Sequence, residues 1–172
     1  HRGWVIVAAT AVVWTIAVAW SGANNPAAAW FGHTTIHGVR RTDAVAITFD
    51  DGPNDSNTQA IADLFASHGA KATFFMVGSA LEARPDLVRH LALQGHVLGN
   101  HSYRHGPEDW LDPSYPELAK GESAFSRVLG RCPRFFRPPF GRHTPAMAEH
   151  VEQMGMRMIT WDVSASDWTT KD

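Results

Sequence analysis

The sequence predicts an α/β fold built on a parallel sheet. Two observations support this prediction: short apolar runs alternate with amphipathic stretches, and each amphipathic stretch ends at a glycine that the next apolar run follows closely. With 172 residues, the chain is long enough for one such domain. A doubly wound sheet and a barrel both fit this alternation, so the pattern alone leaves the choice between them open.

The predicted strands are apolar runs enriched in β-branched and aromatic residues. They span residues 45–49, 72–77, 96–98, 135–136 and 156–161. The predicted helices carry apolar side chains three and four residues apart, which places those side chains on one helix face. They span residues 58–68, 81–93, 115–129 and 145–154, and a glycine follows each of them. Repeated αβ units of this kind are typical of a parallel sheet.

The N-terminal segment departs most clearly from average composition. Residues 3–20 contain no charged side chain, and their number is at the lower edge of the roughly 17–25 residues that cross a bilayer as a helix. Arg2 precedes them, which predicts a cytoplasmic N-terminus and an exported remainder. Small residues at 17–19 and 27–29 also suit signal cleavage. We therefore predict that residues 1–20 are a transmembrane anchor or a signal segment, and that the domain is extracytoplasmic or secreted.

Residues 21–42 are predicted to be a linker, because glycine, asparagine and proline interrupt every regular period there. We expect the folded domain to cover residues 43–172. The net charge of -2 gives no reason to expect nucleic acid as a partner. The single cysteine, Cys132, excludes an intramolecular disulfide. We expect a monomer whose contact with the membrane is made by the N-terminal segment.

Polar side chains follow four of the predicted strands, which is where parallel sheets and barrels place their active sites. These side chains are Asp50 and Asp51, His101 and His105, Arg137, and finally Asp162, Asp167 and Trp168. Convergence from four strand ends indicates a site more strongly than any one of these residues does.

The types of these residues indicate metal and acid–base chemistry. Asp50 and Asp51 are adjacent, and neighbouring carboxylates repel unless a cation or a proton is present, although Asp-Gly-Pro is also ordinary turn chemistry. His101 and His105 are spaced so that one helical turn would direct both towards one ion. Two histidines with one carboxylate form a common catalytic ligand set. Two prolines after Arg137 indicate a guanidinium that is fixed in place to orient a carboxylate.

Five segments resemble the motifs of one family. They are TFDDGP, ATFFMVG, GNHSYRH, RPPFG and WDVSASDW, in this order. Together they resemble the polysaccharide deacetylases, the NodB-like group or carbohydrate esterase family 4, which includes chitin deacetylases, peptidoglycan deacetylases and acetylxylan esterases. The resemblance implies a distorted (β/α) barrel of the NodB-like type. It also implies that residues 43–172 are a truncated domain, with the closing strand or strands missing from this chain.

The resemblance assigns the metal and the base. Asp51, His101 and His105 would bind one divalent ion, zinc first, with cobalt or nickel as alternatives for the same ligands. Asp50 would be the general base and Arg137 would tether it. The distinction between Asp50 and Asp51 comes from the family alone.

Three further roles follow from the resemblance. Asp167 and Trp168 would belong to the acid side of the site. From its place beside Asp167 alone, Trp168 could be ordinary core or could wall an apolar slot for a small acyl group. A backbone N–H near Phe140 would stabilise the oxyanion. The family's proton donor is a histidine in a later L-x-H motif, which we expect beyond residue 172.

The expected function is metal-dependent hydrolysis of N-acetyl groups from an extracellular glycan, either peptidoglycan or a chitin-like polymer. One alternative is a catalytically impaired module that binds metal and glycan, but binding alone needs neither Asp50 as a base nor Arg137 as its tether. A second alternative is an amidohydrolase acting on a small cyclic amide, which the apolar residues 3–20 disfavour, because such metabolism is cytoplasmic.

Overall fold

The computed structural model describes residues 2–28, 34–39, 43–54 and 56–169. Its strands are β1 (Thr34–Thr35), β2 (Thr48–Gly52), β3 (Thr73–Met76), β4 (Val97–Asn100), β5 (Phe135–Phe136) and β6 (Arg157–Ile159). Its helices are α1 (Arg2–Asn24), α2 (Ser56–Ser67), α3 (Gly78–Ala83), α4 (Pro85–Leu93), α5 (Pro116–Leu129) and α6 (Pro145–Gln153). Short 3₁₀ turns cover Asp109–Leu111, Pro139–Gly141 and Asp167–Thr169.

The strands form one parallel sheet in the order β1-β6-β5-β4-β3-β2. From β2 to β6 the strand order follows the chain, and helices make the crossovers that parallel neighbours require. The predicted α/β fold with a parallel sheet is therefore confirmed. Strands β1 and β2 are the two edges, so the barrel is not closed within the described ranges.

The core consists of two groups of buried apolar side chains. One group lies between β3, β4 and helices α2 to α5, and includes Phe74, Met76, Leu81, Val88, Leu91 and Phe125. The other lies under α6 and includes Phe136, Met147, Val151 and Met158. In α4, Val88 and Leu91 are three residues apart and so face the sheet together. Removing such surfaces from water stabilises the fold by about 25 cal/mol per Å².

The first strand of the predicted domain begins later than expected. The apolar run at 45–49 predicts a strand from Val45, but β2 begins at Thr48 and continues through both aspartates to Gly52. Val45 is 86% exposed, so its apolar side chain is not part of the core. The reason is that β2 is an edge strand whose pairing with β3 starts at Thr48 opposite Thr73.

The predicted helix over 81–93 is two helices. Arg84 separates α3 from α4 with φ −134° and ψ 55°, and Pro85 is the first residue of α4. Proline disfavours the helical conformation in the residue before it and has no N–H to donate, but it is well suited to a first helical position.

The linker predicted over 21–42 contains a strand, which is a correction. Thr34 and Thr35 pair in parallel with Met158 and Ile159 of β6. A strand of two residues is too short to show alternation, so the sequence pattern could not reveal it. Residues 29–33 and 40–42 of the predicted linker lie outside the described residues.

Helix α1 contains the predicted apolar segment and continues past it to Asn24. Gly3–Asn24 is long and apolar enough to cross a membrane, judged by length and composition, and almost all of its side chains lie on the outside of the protein. The prediction based on the charge of Arg2 concerns a side chain outside the described part of the chain.

Candidate active site

At the end of β2, the adjacent carboxylates of Asp50 and Asp51 contact different partners. The pairing with β3 is regular at Phe49 and shifts before Gly52, and Asp51 adopts a left-handed φ of 66° between them. Asp50 keeps the side of the strand that Thr48 occupies, because side chains two residues apart share a face. Asp51 turns instead towards the loop after β4. This irregularity is why neighbouring residues can have different roles.

Asp51, His101 and His105 form a compact group at the carboxyl end of the sheet. Asp51 Oδ1 lies 3.4 Å from His101 Nε2 and 3.2 Å from His105 Nε2. One ligand atom from each residue lies within 4.8 Å of the other two. Ligand atoms bound at about 2.0–2.1 Å to a tetrahedral zinc ion are themselves about 3.3 Å apart. The three side chains that the sequence predicts as ligands are thus brought together at a spacing that suits one ion.

The histidines do not lie on a helical turn, which corrects the expectation from their spacing. The segment after β4 is a loop in which Ser102 and His105 have positive φ values of 64° and 57°. Ser102 Oγ accepts a hydrogen bond of 2.9 Å from the His105 N–H and closes the loop. Convergence of the two imidazoles therefore comes from a turn in strained backbone, a conformation that is common at functional sites.

Sheet register orients His101. Asn100 of β4 pairs with Phe136 of β5, so the following residues, His101 and Arg137, lie side by side. The buried His101 ring donates from Nδ1 to the Arg137 carbonyl at 2.7 Å. This bond occupies Nδ1, so Nε2 is the ring nitrogen directed at Asp51 Oδ1. A cation between Nε2 and Oδ1 would be held by both atoms, so these residues fit a bound metal ion.

Electrostatics favours the ligand-competent protonation states. Hydrogen bonding to His101 lowers the pKa of Asp51, and a positive charge on His105 or His101, when either ring is protonated, lowers it further, whereas burial raises it. Burial lowers the pKa of His105, and the neighbouring His101 acts in the same direction. At neutral pH an ionised Asp51 thus faces a neutral His105, which are the forms that bind metal.

The guanidinium of Arg137 is the centre of a second group of contacts in the site. Its Nη1 donates to Asp50 Oδ1 and to Thr48 Oγ1, both at 2.8 Å. Its Nε and Nη2 donate to the carbonyls of Ile159 and Thr160 at 3.3 Å and 3.1 Å. Burial lowers the pKa of Arg137 and Asp50 opposes that shift. The side chains of Arg137 and Asp50 are 4% and 29% exposed, so solvent screens their ion pair weakly.

Aromatic rings that the sequence prediction missed hold Arg137 in place. The guanidinium carbon lies 4.1 Å from the centroid of Phe75 and 5.3 Å from that of Trp161. Gly99 makes room for Phe75, because a Cβ there would lie 2.6 Å from two atoms of the Phe75 ring. The signals were present in the quoted motifs: Phe75, Gly99 and Trp161 all belong to them, and Thr48 is two residues before Asp50 on one strand.

Phe140 lies beside the candidate ligand group. It belongs to the 3₁₀ turn after the two prolines, has a positive φ of 58°, and is half-exposed. Its ring centroid is 4.7 Å from that of His105. The use of a backbone N–H near Phe140 for an oxyanion stays a prediction.

In the part of the chain that the structure describes, Asp167 and Trp168 do not join the Asp51, His101 and His105 group. Both lie on an exposed 3₁₀ turn near the end of the chain, and the Trp168 side chain is 72% exposed. Their assigned roles stay predictions. The histidine expected beyond residue 172 lies outside the described residues.

Fold and site together define an α/β protein with a candidate three-ligand metal centre at the carboxyl end of a parallel sheet. Beside that centre is a carboxylate fixed by a buried arginine. Among the described residues, six non-glycine residues have positive φ, and four of these surround the centre: Asp51, Ser102, His105 and Phe140.

Comparison with known proteins gives the family. A family profile described as polysaccharide deacetylase matches residues 37–159. The peptidoglycan-N-acetylglucosamine deacetylase of Bacillus cereus is 36% identical over 126 residues, which are 72% of this chain and 46% of that relative. The chitooligosaccharide deacetylase of Azorhizobium caulinodans is 32% identical over 128 residues, 73% of this chain and 61% of that relative. The chain belongs to the polysaccharide deacetylase family.

The structural comparison agrees. The crystal structure of the Bc1960 peptidoglycan N-acetylglucosamine deacetylase, in complex with 4-naphthalen-1-yl-N-oxidanyl-benzamide, superposes with a TM-score of 0.74 at 33% identity. The match covers 79% of this chain and 64% of that one. This chain therefore spans less than two thirds of the length of each of these three proteins.

Proposed function

We propose that this protein is a metal-dependent hydrolase that removes N-acetyl groups from an extracytoplasmic glycan. The observation that carries the proposal is the separation of two adjacent carboxylates. Asp51 belongs to a group with two imidazoles, whereas Asp50 is bonded to a buried guanidinium. Metal binding alone requires only the first arrangement. A second carboxylate, fixed by a guanidinium beside the candidate metal ligands, is what hydrolysis needs.

Asp51, His101 and His105 would hold the ion. A divalent cation held there would polarise the amide carbonyl and would lower the pKa of a bound water. Zinc suits two imidazoles and one carboxylate, and cobalt or nickel suit the same ligands.

Asp50 accepts the proton of the attacking water. Its hydrogen bond to Arg137 Nη1 pairs the carboxylate with a buried guanidinium and fixes the position of one oxygen. Thr48 and the carbonyls of Ile159 and Thr160 fix the guanidinium, so the carboxylate is held in one orientation before substrate arrives. Phe140 contributes an exposed apolar surface next to His105, against which a small acyl group can lie.

The substrate and the location are part of the proposal. The two relatives are named for peptidoglycan N-acetylglucosamine and for chitooligosaccharide, so an N-acetylated amino sugar is the chemistry that they share. The apolar helix α1 suits an anchor or a signal, which supports export of the domain to such a glycan.

The test uses the natural full-length protein, in detergent, with an N-acetylglucosamine oligomer. We expect release of free acetate, loss of the release after chelation, and recovery when zinc is added. Asp50→Asn is the matched variant, because it removes the base and keeps the ligand group. Glycan and metal binding without acetate in every condition would favour the impaired module. Turnover confined to a small cyclic amide would contradict the glycan assignment.

A further inference from the structure

We propose that residues 22–28, called the docking segment below, are part of the active site and that Pro26 is a positioning residue for the loop that carries Phe140. The segment belongs to the stretch whose composition predicts a linker. The inference rests on the proposed function only in that the loop it positions is the one assigned to substrate.

The docking segment is packed into the domain. The Ala23 carbonyl accepts a hydrogen bond of 3.0 Å from the His143 N–H, just after the 3₁₀ turn that contains Phe140. Ala23 and Ala28 are 7% and 3% exposed, and Gly22 is buried too. A flexible linker would leave these small side chains in water, so their burial marks the segment as part of the folded unit.

Pro26 lies directly on Gly141. A Cβ added at Gly141 would lie 2.5 Å from Pro26 Cγ and 2.9 Å from Trp161 Cη2. Gly141 also has a positive φ of 68°, which a glycine adopts without steric cost. The Pro26 ring and the Trp161 ring therefore both contact the backbone of the turn at this glycine.

Gly141 links the docking segment to the candidate ligand group and to the Arg137–Asp50 pair. Phe140 precedes it and packs against His105, one of the metal ligands. Trp161 lies over the guanidinium of Arg137, which holds Asp50. A displacement of Pro26 would thus shift the turn that covers His105 and the Trp161 ring that contacts Arg137.

The docking segment consists of the last three residues of α1 and the turn that follows them. Asn25 Oδ1 accepts from the Ala27 N–H at 3.0 Å, and the Asn25 carbonyl accepts from the Ala28 N–H at 2.9 Å. Trp20 near the end of α1 packs edge-on against Trp110 of the domain, with ring centroids 5.9 Å apart. Cleavage at the small residues 27–29 would remove the segment from the domain. We therefore expect the mature protein to keep residues 22–28, whether α1 stays as an anchor or is cleaved near residues 17–19.

The test compares Pro26→Ala with Pro113→Ala in the full chain, since Pro113 is an exposed proline away from the site. Hydrogen exchange at the His143 amide is the main measurement. We expect exchange to rise on the order of tenfold in Pro26→Ala and to stay unchanged in Pro113→Ala. Asn25→Ala, which loosens the same turn, should shift exchange in the same direction and serves as the second variant if Pro26→Ala does not fold.

Kinetics provides the second measurement. In Pro26→Ala we expect the KM for the glycan oligomer to rise while bound metal per chain stays the same, because the variant moves the Phe140 turn and leaves the ligands. Unchanged exchange at His143 in both docking variants would overturn the inference, whether or not acetate is released. A mature membrane protein whose N-terminus, read by mass spectrometry, follows residue 29 would overturn it as well.

Discussion

Arg137 Nη1 donates a hydrogen bond of 2.8 Å to Asp50 Oδ1, and the same nitrogen donates to Thr48 two residues earlier on β2. This pair separates Asp50 from Asp51, whose carboxylate faces two imidazoles. The two roles thus depend on one local irregularity in β2 and on the buried guanidinium, and each can be tested by substitution.

The division of roles between the aspartates predicts two different defects. Asp50→Asn should retain the metal and lose roughly 10²- to 10⁴-fold in rate, because a general base contributes about that much. Asp51→Asn should lose metal, because the amide cannot supply the anionic ligand. Elemental analysis after dialysis, paired with acetate release, measures both. Equal metal content in the two variants would show that the assignment of roles is wrong.

The geometry of the ligand group predicts that both imidazoles are needed for metal binding. His101→Ala and His105→Ala should each lower bound metal well below one ion per chain, measured by isothermal titration with zinc. His68→Ala is the control, because His68 is exposed on the end of a helix away from the group. Full zinc stoichiometry in both ligand variants would contradict the site.

The buried ion pair predicts a large effect on stability. Arg137→Met leaves the Asp50 carboxylate without its partner and two carbonyls without their donor. The free energy of unfolding should fall by about 3–5 kcal/mol, which is typical when one partner of a buried pair is removed. Arg89→Met removes an exposed pair with Asp86 and should cost less than about 1 kcal/mol. Urea denaturation compares the two, and similar losses in both variants would count against a buried anchor at Arg137.

His96 predicts that stability falls in mild acid. Burial lowers its pKa below the usual value near 6.5, Lys71 lowers it further, and Asp63 opposes the shift. Between the lowered pKa and about 6.5 the unfolded chain binds more protons than the folded one, so stability is full above that range and is lost as the pH falls. The neutral ring accepts from the Ala72 N–H through Nδ1 at 3.1 Å, an interaction that protonation removes.

The variant for this prediction is His96→Asn, which can retain an acceptor for Ala72 and does not titrate. Urea unfolding at about pH 7.5 and about pH 5.5 should show a smaller loss of stability in the variant than in the parent protein. The pKa of His105 is lowered as well, but His105 is present in both proteins and cancels in the comparison. An equal loss in the two proteins would exclude His96 as a source of the pH dependence.

Local periodicity predicted most of the elements, and polar residues at strand ends indicated the candidate site, because apolar spacing and strand-end polarity are local properties. The choice of Asp51 over Asp50 as a ligand came from the family resemblance. Sequence patterns failed where contacts with residues distant in sequence determine the conformation. The His101–His105 spacing suggests a helical turn, yet positive φ at Ser102 and His105 produces the convergence. β1 is too short to carry a pattern and exists only through its pairing with β6. Pro26 gives no signal in sequence, since its role arises from contact with Gly141.

The pairing of β1 with β6 has a consequence for how the protein folds. Thr34 Oγ1 donates to Met158 Sδ across 124 residues of chain, so this edge forms only when distant parts of the chain meet. Closing a loop of that length costs entropy before any contact compensates for it, and contacts of high sequence separation slow folding. If the chain is exported from its N-terminal side, β1 would leave the membrane before the other strands and would stay unpaired until β6 had followed. The strands from β2 to β6 can assemble in order during that interval, and β1 is the last strand that can join the sheet.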